Sequence, residues 1–354
     1  MQSLIGDENM YRELYLFLTN QCPNRCQYCY IKYNNNCLSE QDIDEAIFKY
    51  NPDRIVFFGG EPLLRLDLME YTMKKYHDDI KFQVITSTMA NWKEFINLKK
   101  KYRIELQISW DGFKDSRVDT NGNSIADRVL DHINYAIAEG MKFDIKTVVN
   151  TANVKDIPKI NKLFQRLDKE FHVNGQYCIA RGEYHDDQWF KDLEENLYCT
   201  FEGTTIHPYT ENLNKIMAYI NRAPMQSCSA GRDNELCYLT DKTISYCTSI
   251  AFTDQRYEDP DKIQQRCKHR DCQIENCKYY YLCDGGCRYE RMKEFGDKWL
   301  KNYLPETCKL MKVYNNLITK YLSSLDTNQT NELYKTILNY KKYLYSFYKL
   351  EGIL

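Results

Sequence analysis

The sequence predicts an α/β protein: a partial (β/α)6 TIM-like barrel, then a small cysteine-rich, loop-rich domain, then C-terminal helices. Three observations carry this reading. Short apolar strand patterns alternate with helical patterns of about a dozen residues through the first half. The fifteen cysteines are concentrated in two places. Residues 309–354 return to helical spacing, in two stretches separated by the polar run 323–332.

The strands come in order. Residues 12–18 (RELYLFL) form the first, and a helix follows over 40–49 with Ser39 as its N-cap. Residues 54–58 (RIVFF) are the second strand, followed by a helix near 65–77. Strands at 82–86, 103–109 and 142–149 follow, with helices near 91–101, 124–139 and 155–169. Residues 171–179 make a sixth strand. Six such units suit a partial barrel better than an eight-stranded one, with an open doubly wound sheet as the alternative. Residues 181–227 break the rhythm and read as a bridge, and 228–308 carry little regular pattern, as small metal-stapled modules do. The expected units are therefore 1–180, 181–227, 228–310 and 311–354.

Bulk properties exclude several classes. With 43% hydrophobic and 28% charged residues, the chain is rich enough in apolar residues to fold. A net charge of −2 gives no basic footprint for nucleic acid. No apolar run approaches the ~18 residues of a membrane span, and no signal peptide opens the chain. A cytoplasmic location is expected. Clustered thiols in a reducing compartment point to metal or iron–sulfur ligation rather than disulfides.

The first constellation is Cys22-Pro-Asn-Arg-Cys26-Gln-Tyr-Cys29, directly after the first strand. Three thiolates can hold three irons of a cubane and leave the fourth open; a zinc knuckle is the alternative, although structural zinc wants four ligands. Gly59-Gly60-Glu61-Pro62 ends the second strand, where two glycines let a backbone approach a ligand closely and Glu61 offers an acceptor for an ammonium. Ser109-Trp110-Asp111-Gly112 ends the fourth strand, and Asn150 ends the fifth. All three motifs fall on the C-terminal edge, where parallel sheets build active sites.

In this order the motifs resemble the radical S-adenosylmethionine (SAM) superfamily over residues 12–180. The resemblance implies a [4Fe–4S] cluster on Cys22, Cys26 and Cys29, with SAM on the open iron. It implies SAM contacts from Gly59, Gly60, Glu61, Pro62, Ser109, Asp111, Arg117 and Asn150, with Glu61 meeting the methionine amino group. Tyr28 is implied as a neighbour of the adenine, or is a packing aromatic. The implied chemistry is reductive cleavage of SAM to a 5′-deoxyadenosyl radical, with an external donor of the flavodoxin or ferredoxin type.

The second constellation contains Cys277-x5-Cys283-x3-Cys287 with Asp284-Gly285-Gly286 inside it. It resembles the SPASM extension, which carries two auxiliary [4Fe–4S] clusters. The resemblance assigns Cys228, Cys237, Cys247 and Cys287 to the first, and Cys272, Cys277, Cys283 and Cys308 to the second. This chain departs from the pattern in placing Lys242 where a glycine is usual, in the four residues between Cys272 and Cys277, and in the additional Cys267, which competes with Cys272. A zinc ribbon is the alternative for the module.

SPASM enzymes most often modify peptides or protein side chains, which makes a peptide or protein the expected substrate, with a separate leader-recognition protein as a possible partner. Expected modifications are thioether or C–C crosslinks, or oxidation. The alternatives are dehydrogenation or epimerisation of a sugar or aminoglycoside, and Cys or Ser oxidation of the sulfatase-maturase type. Thr248 follows Cys247 where sulfatase maturases place an acidic base, which weakens that last reading. Candidate catalytic residues are Arg181, His185, Asp186 and Cys178, with Glu183 and Asp187 as further polar candidates in a substrate groove. A solvated loop is the plain alternative for each of these bridge residues.

Overall fold

The computed structural model describes residues 13–113, 117–180, 185–201, 211–222, 230, 235–265, 268, 272, 277–283 and 285–350, without the side chains of 211, 340 and 343–350. Its centre is an eight-stranded sheet. The first six strands are β1 (Glu13–Thr19), β2 (Arg54–Gly59), β3 (Lys81–Thr86), β4 (Ile104–Ser109), β5 (Asp144–Val149) and β6 (Asn174–Ile179). They lie side by side in chain order, and every neighbouring pair is parallel. Helices α1 (Glu40–Tyr50), α2 (Leu66–Tyr76), α3 (Trp92–Lys101), α4 (Ala126–Ala138) and α5 (Ile157–Phe171) make the crossovers. The expected barrel-like α/β architecture is present, and each of these strands and helices lies within three residues of its expected bounds.

Local chemistry sets these elements. Ser39 caps α1 in a full capping box with Asp42, satisfying donors at both ends of the first turn. α5 starts with Pro158 in its first turn and ends on His172 in the left-handed conformation. Along each strand, alternate residues such as Leu14, Leu16, Ile55, Phe57, Val84, Leu106 and Ile145 turn toward the helices and form one large core.

The structure departs from expectation beyond β6. The cysteine-rich stretch contributes β7 (Glu235–Tyr238), which pairs in parallel with Glu13–Leu16 of β1, and β8 (Ile244–Ser245), antiparallel to β7. The sheet order is β6-β5-β4-β3-β2-β1-β7-β8, leaving β6 and β8 as edges. The stretch read as a bridge holds α6 (Asp187–Leu197) and α7 (Glu211–Asn221). Three short helices follow: α8 (Pro260–Gln264), α9 (Tyr280–Cys283) and α10 (Arg288–Phe295). Two long ones, α11 (Pro305–Ser324) and α12 (Thr327–Leu350), close the chain. Trp189, Phe190 and Leu193 of α6 share a second core with Ile216 of α7 and Val313, Leu317 and Ile318 of α11. Among the described residues, no helix is long and apolar enough to cross a membrane.

Candidate active site

The Cys22–Cys29 loop leaves the C-terminal end of β1 and is anchored on three sides. Arg25 donates its backbone N–H to the Val118 carbonyl. Asn24 is buried and donates its side-chain amide to Ser87 Oγ at 2.7 Å, beyond the end of β3. The backbone of residues 59–61 docks on that of 19–21, with Gly60 N to Thr19 O at 2.7 Å and Glu61 N to Gln21 O at 2.8 Å. A Cβ at Gly60 would lie 2.0 Å from the Gln21 carbonyl oxygen, so only glycine fits. The close approach expected toward a ligand is made in this structure to the backbone of the loop entering the cysteine motif.

All three thiols are half-buried. Burial, and then the Glu61 carboxylate, pushes the Cys22 thiol up from its ordinary value. A bound metal would reverse that preference, because coordination favours the thiolate. Among the described residues, no three His, Cys, Asp or Glu side chains come close enough to share one metal ion. Cys26 and Cys29 both act electrostatically on Cys22, so the three thiols are neighbours, and three neighbouring thiolates suit three irons of a cubane.

Glu61 is 1% exposed, and both its oxygens are occupied. One accepts from Leu63 N at 3.2 Å and Thr86 Oγ1 at 2.6 Å; the other accepts from Ser87 N at 3.0 Å and Ser87 Oγ at 2.5 Å. A carboxylate has about four acceptor sites. The side chain therefore clamps β2 to β3, and a ligand ammonium would reach it only by displacing one of these donors. Burial pushes the Glu61 pKa up against those four bonds. Thr86 and Ser87 were not singled out in the sequence, because the clamp joins residues far apart in the chain. Pro62 is buried at the start of the 3-10 turn that follows.

Asp111 is fully buried and joins three elements. One oxygen accepts from Val148 N at 2.9 Å; the other accepts from the Tyr28 hydroxyl and from Arg117 Nε at 2.8 Å. Arg117 also lies 3.9 Å from Cys26 Sγ and stacks over the Tyr28 ring. A fixed guanidinium beside Cys26 favours its thiolate electrostatically. Ser109 ends β4 on the same edge, half-buried. Asn150 is buried and caps the end of β5, donating to Val148 O and accepting from Ala152 N.

The cysteine-rich segment brings its described thiols into two neighbourhoods. Cys237, Cys247 and Cys287 meet around Tyr30, which is packed with Cys29 on one side and with Cys247, Cys287 and Tyr289 on the other. The side chain of Thr248 lies beside the Tyr30 hydroxyl. Cys283 and Cys277 lie together at α9, with Cys308 in the first turn of α11. Lys215, 6% exposed, donates to Leu282 O at 2.6 Å and lies 3.9 Å from Met311 Sδ, which places a cation beside Cys283. Cys272 is described and half-buried, whereas Cys228, Cys267 and Asp284 lie outside the described residues.

Lys242 explains one departure from the expected pattern. It occupies the β7–β8 turn at φ +65°, the left-handed region that a glycine would take without strain. The backbone requirement persists although the glycine is gone.

The remaining candidates separate. Cys178 lies on β6, its thiol directed to Thr147 O at 3.7 Å. Asp186 is the N-cap of α6, accepting from Trp189 N at 2.7 Å, and Asp187 pairs with Lys309 on the surface. Those bonds account for both as helix-stabilising groups. His185 is buried and stacked on Trp189 with ring centroids 3.7 Å apart. Among the described residues, neither of its ring nitrogens has a hydrogen-bond partner. Arg181 and Glu183 lie outside the described residues.

Comparison with known proteins agrees with this geometry. Residues 16–164 match the model of the Radical SAM superfamily. A cysteine-type anaerobic sulfatase-maturating enzyme of Clostridium novyi is 22% identical over 352 aligned positions, covering 82% of this chain and 91% of the relative. A solved structure of anSMEcpe with bound AdoMet and the Cp18Cys peptide superposes with a TM-score of 0.64 at 19% identity, covering 88% of this chain and 99% of that one. SuiB of Streptococcus suis bound to its precursor peptide SuiA gives 0.59 at 16% identity, covering 85% and 76%. Those two likenesses establish a shared fold. Residues 16–164 carry a radical SAM domain, with SAM and a [4Fe–4S] cluster as its cofactors.

Proposed function

We propose that the enzyme modifies a side chain of a peptide or protein. The observation that carries this is coverage: the sulfatase-maturating relative aligns over 82% of this chain, well beyond the radical SAM domain and into the cysteine-rich segment. When bound, SAM and its reduced cluster supply reductive C–S cleavage and hydrogen-atom abstraction from an unactivated carbon. Cys22, Cys26 and Cys29 would ligate three irons, and Gly59–Pro62 and Ser109 face the same edge. The Asp111–Arg117–Tyr28 network holds the loop's orientation, and Phe17, Phe58 and Phe252 keep water from one flank. The cysteine-rich segment would hold two auxiliary clusters, on Cys228, Cys237, Cys247 and Cys287 and on Cys272, Cys277, Cys283 and Cys308. An external low-potential donor would deliver the electron.

Oxidation of a Cys or Ser in a sulfatase is the second reading, favoured by the identity of that relative. Against it, Thr248 occupies the expected base position, and a hydroxyl there is no carboxylate base. The test is metal analysis of anaerobically purified protein, followed by mass spectrometry of candidate peptides after incubation with SAM and dithionite. About twelve irons per chain and a peptide that loses hydrogen are expected. About four irons with zinc present would make the C-terminal segment a zinc module and remove the main support for a peptide substrate.

A further inference from the structure

The face of the sheet turned away from the helices is polar over its second half. Gln83, Gln107, Ser109, Lys146, Gln176 and Cys178 alternate with the helix-facing core residues of β3–β6, and all six are half-buried. The strand register sets Ser109 beside Lys146, and Lys146 beside Gln176. Ser109 ends β4 just before Asp111, so this surface runs continuously into the candidate active site.

Among the described residues the acids on this face are engaged, and two cations are not: the exposed Lys81 at the N-terminal end of β3, and Lys146. Arg54 bridges Glu13 and Glu105 at the N-terminal end of the sheet, and Asp144 accepts from Asn174. Among the described residues, Lys146 has no ion-pair or hydrogen-bond partner. An acid brought beside this ammonium would form a charge-assisted hydrogen bond with it.

We propose that the inner face of β4–β6 is the substrate groove and that Lys146 receives the side-chain carboxylate of an Asp or Glu in the substrate peptide. This rests on the peptide-modifying reading above and adds a recognition rule to it. Ser109, Gln107 and Gln176 flank the ammonium with donors and acceptors for the peptide backbone. Charge complementarity selects the occupant: among the described residues the unpaired charges on this face are cations, and the polar neighbours of Lys146 are neutral.

The test uses anaerobic holoenzyme with SAM present and fluorescein-labelled synthetic peptides in matched Glu and Gln pairs. All are amidated, so that no C-terminal carboxylate competes. Fluorescence anisotropy is expected to show the wild type binding the Glu member about tenfold more tightly, as one charge-assisted hydrogen bond requires. Lys146→Met should abolish that preference, Lys146→Arg should keep it, and Lys146→Glu should transfer it to a Lys-bearing peptide. SAM affinity and the electron paramagnetic resonance signal of the reduced cluster should stay unchanged in all three. An unchanged preference in Lys146→Met, or weakened SAM binding in its place, would overturn the assignment. Wild-type enzyme that binds both members alike sinks the Lys146 pairing alone; wild-type enzyme that binds no peptide sinks the peptide reading with it.

Discussion

On one face of one sheet, β1 and β2 carry Tyr15, Phe17 and Phe58, whereas β4, β5 and β6 carry Gln107, Ser109, Lys146 and Gln176. Both halves alternate with the same period of two against the same helix-facing core. They differ in what covers them. The aromatic half is roofed by the cysteine-rich segment: Phe17 meets Phe58 at 5.0 Å and Phe252 at 5.8 Å, and Tyr30 meets Phe252 at 6.3 Å and Tyr289 at 6.2 Å. These rings join the loop of Cys22–Cys29 to the neighbourhood of Cys247 and Cys287, tying the two thiol groups into one packed unit. The polar half has no such roof among the described residues. The comparison teaches that the cysteine-rich segment covers one half of this face, whereas among the described residues the other half is left uncovered.

The sharpest way to break this contrast is to truncate one residue in each half. Phe17→Ala removes a fully buried ring from the aromatic half and should cost about 3–5 kcal/mol by cavity formation. Gln107→Ala, on the polar half, should stay within about 0.5 kcal/mol, since among the described residues none bonds to its amide. Urea unfolding of the two variants under anaerobic conditions measures both. Comparable losses would show that the two halves are packed alike and would remove the basis for a groove.

Much of this was legible in the sequence, for identifiable reasons. Strands such as 54–58 and 82–86 stood out because β-branched and aromatic residues are bounded by turns. Ser39 was recognisable because a capping box is local. Cys22, Cys26 and Cys29 were recognisable because their spacing is itself the chemistry. The failures concern long-range pairing. β7 is a four-residue strand, Glu235–Tyr238, whose identity comes from its fit against Glu13–Leu16 and not from its own pattern. The clamp on Glu61 is made by Thr86 and Ser87, common hydroxyl residues that nothing in the local sequence marks. The polar inner face also escaped notice, because each of its residues looks like an ordinary solvent-facing strand position until the sheet curls around it.

His185 sharpens the comparison at the edge beyond β6. Burial lowers its pKa from 6.5 to about 4, with Glu306 and then Asp186 opposing the shift. The folded protein therefore binds the proton less readily than the unfolded chain. The resulting cost is absent above pH 6.5, grows as pH falls, and levels off below about pH 4. The expected loss is about 2 kcal/mol by pH 5 and about 3 kcal/mol at the plateau. His185→Leu should flatten this dependence between pH 6.5 and 5 in urea unfolding. An equally steep profile in that variant would show that His185 is hydrated, and the edge beyond β6 would then belong with the open half.

The smallest effect falls on the hairpin over the aromatic half. Lys242 is held at φ +65°, which for a residue with a Cβ costs about 1 kcal/mol relative to glycine. Its ammonium pairs with Asp42 at 2.6 Å, but the lysine side chain is 60% exposed, so solvent screens the pair. Such pairs contribute between about 0 and 1 kcal/mol. The two terms oppose each other in Lys242→Gly, which gains the conformational relief and loses the pair. Asp42 keeps its capping-box bonds with Ser39 either way. At low salt the variant should therefore match the wild type within about 1 kcal/mol. In high salt the pair is already screened in the wild type, and the glycine variant should become the more stable of the two. A glycine variant less stable at every ionic strength would show that the turn relies on the Lys242–Asp42 contact, and that β7 and β8 are fastened to α1 as firmly as to β1.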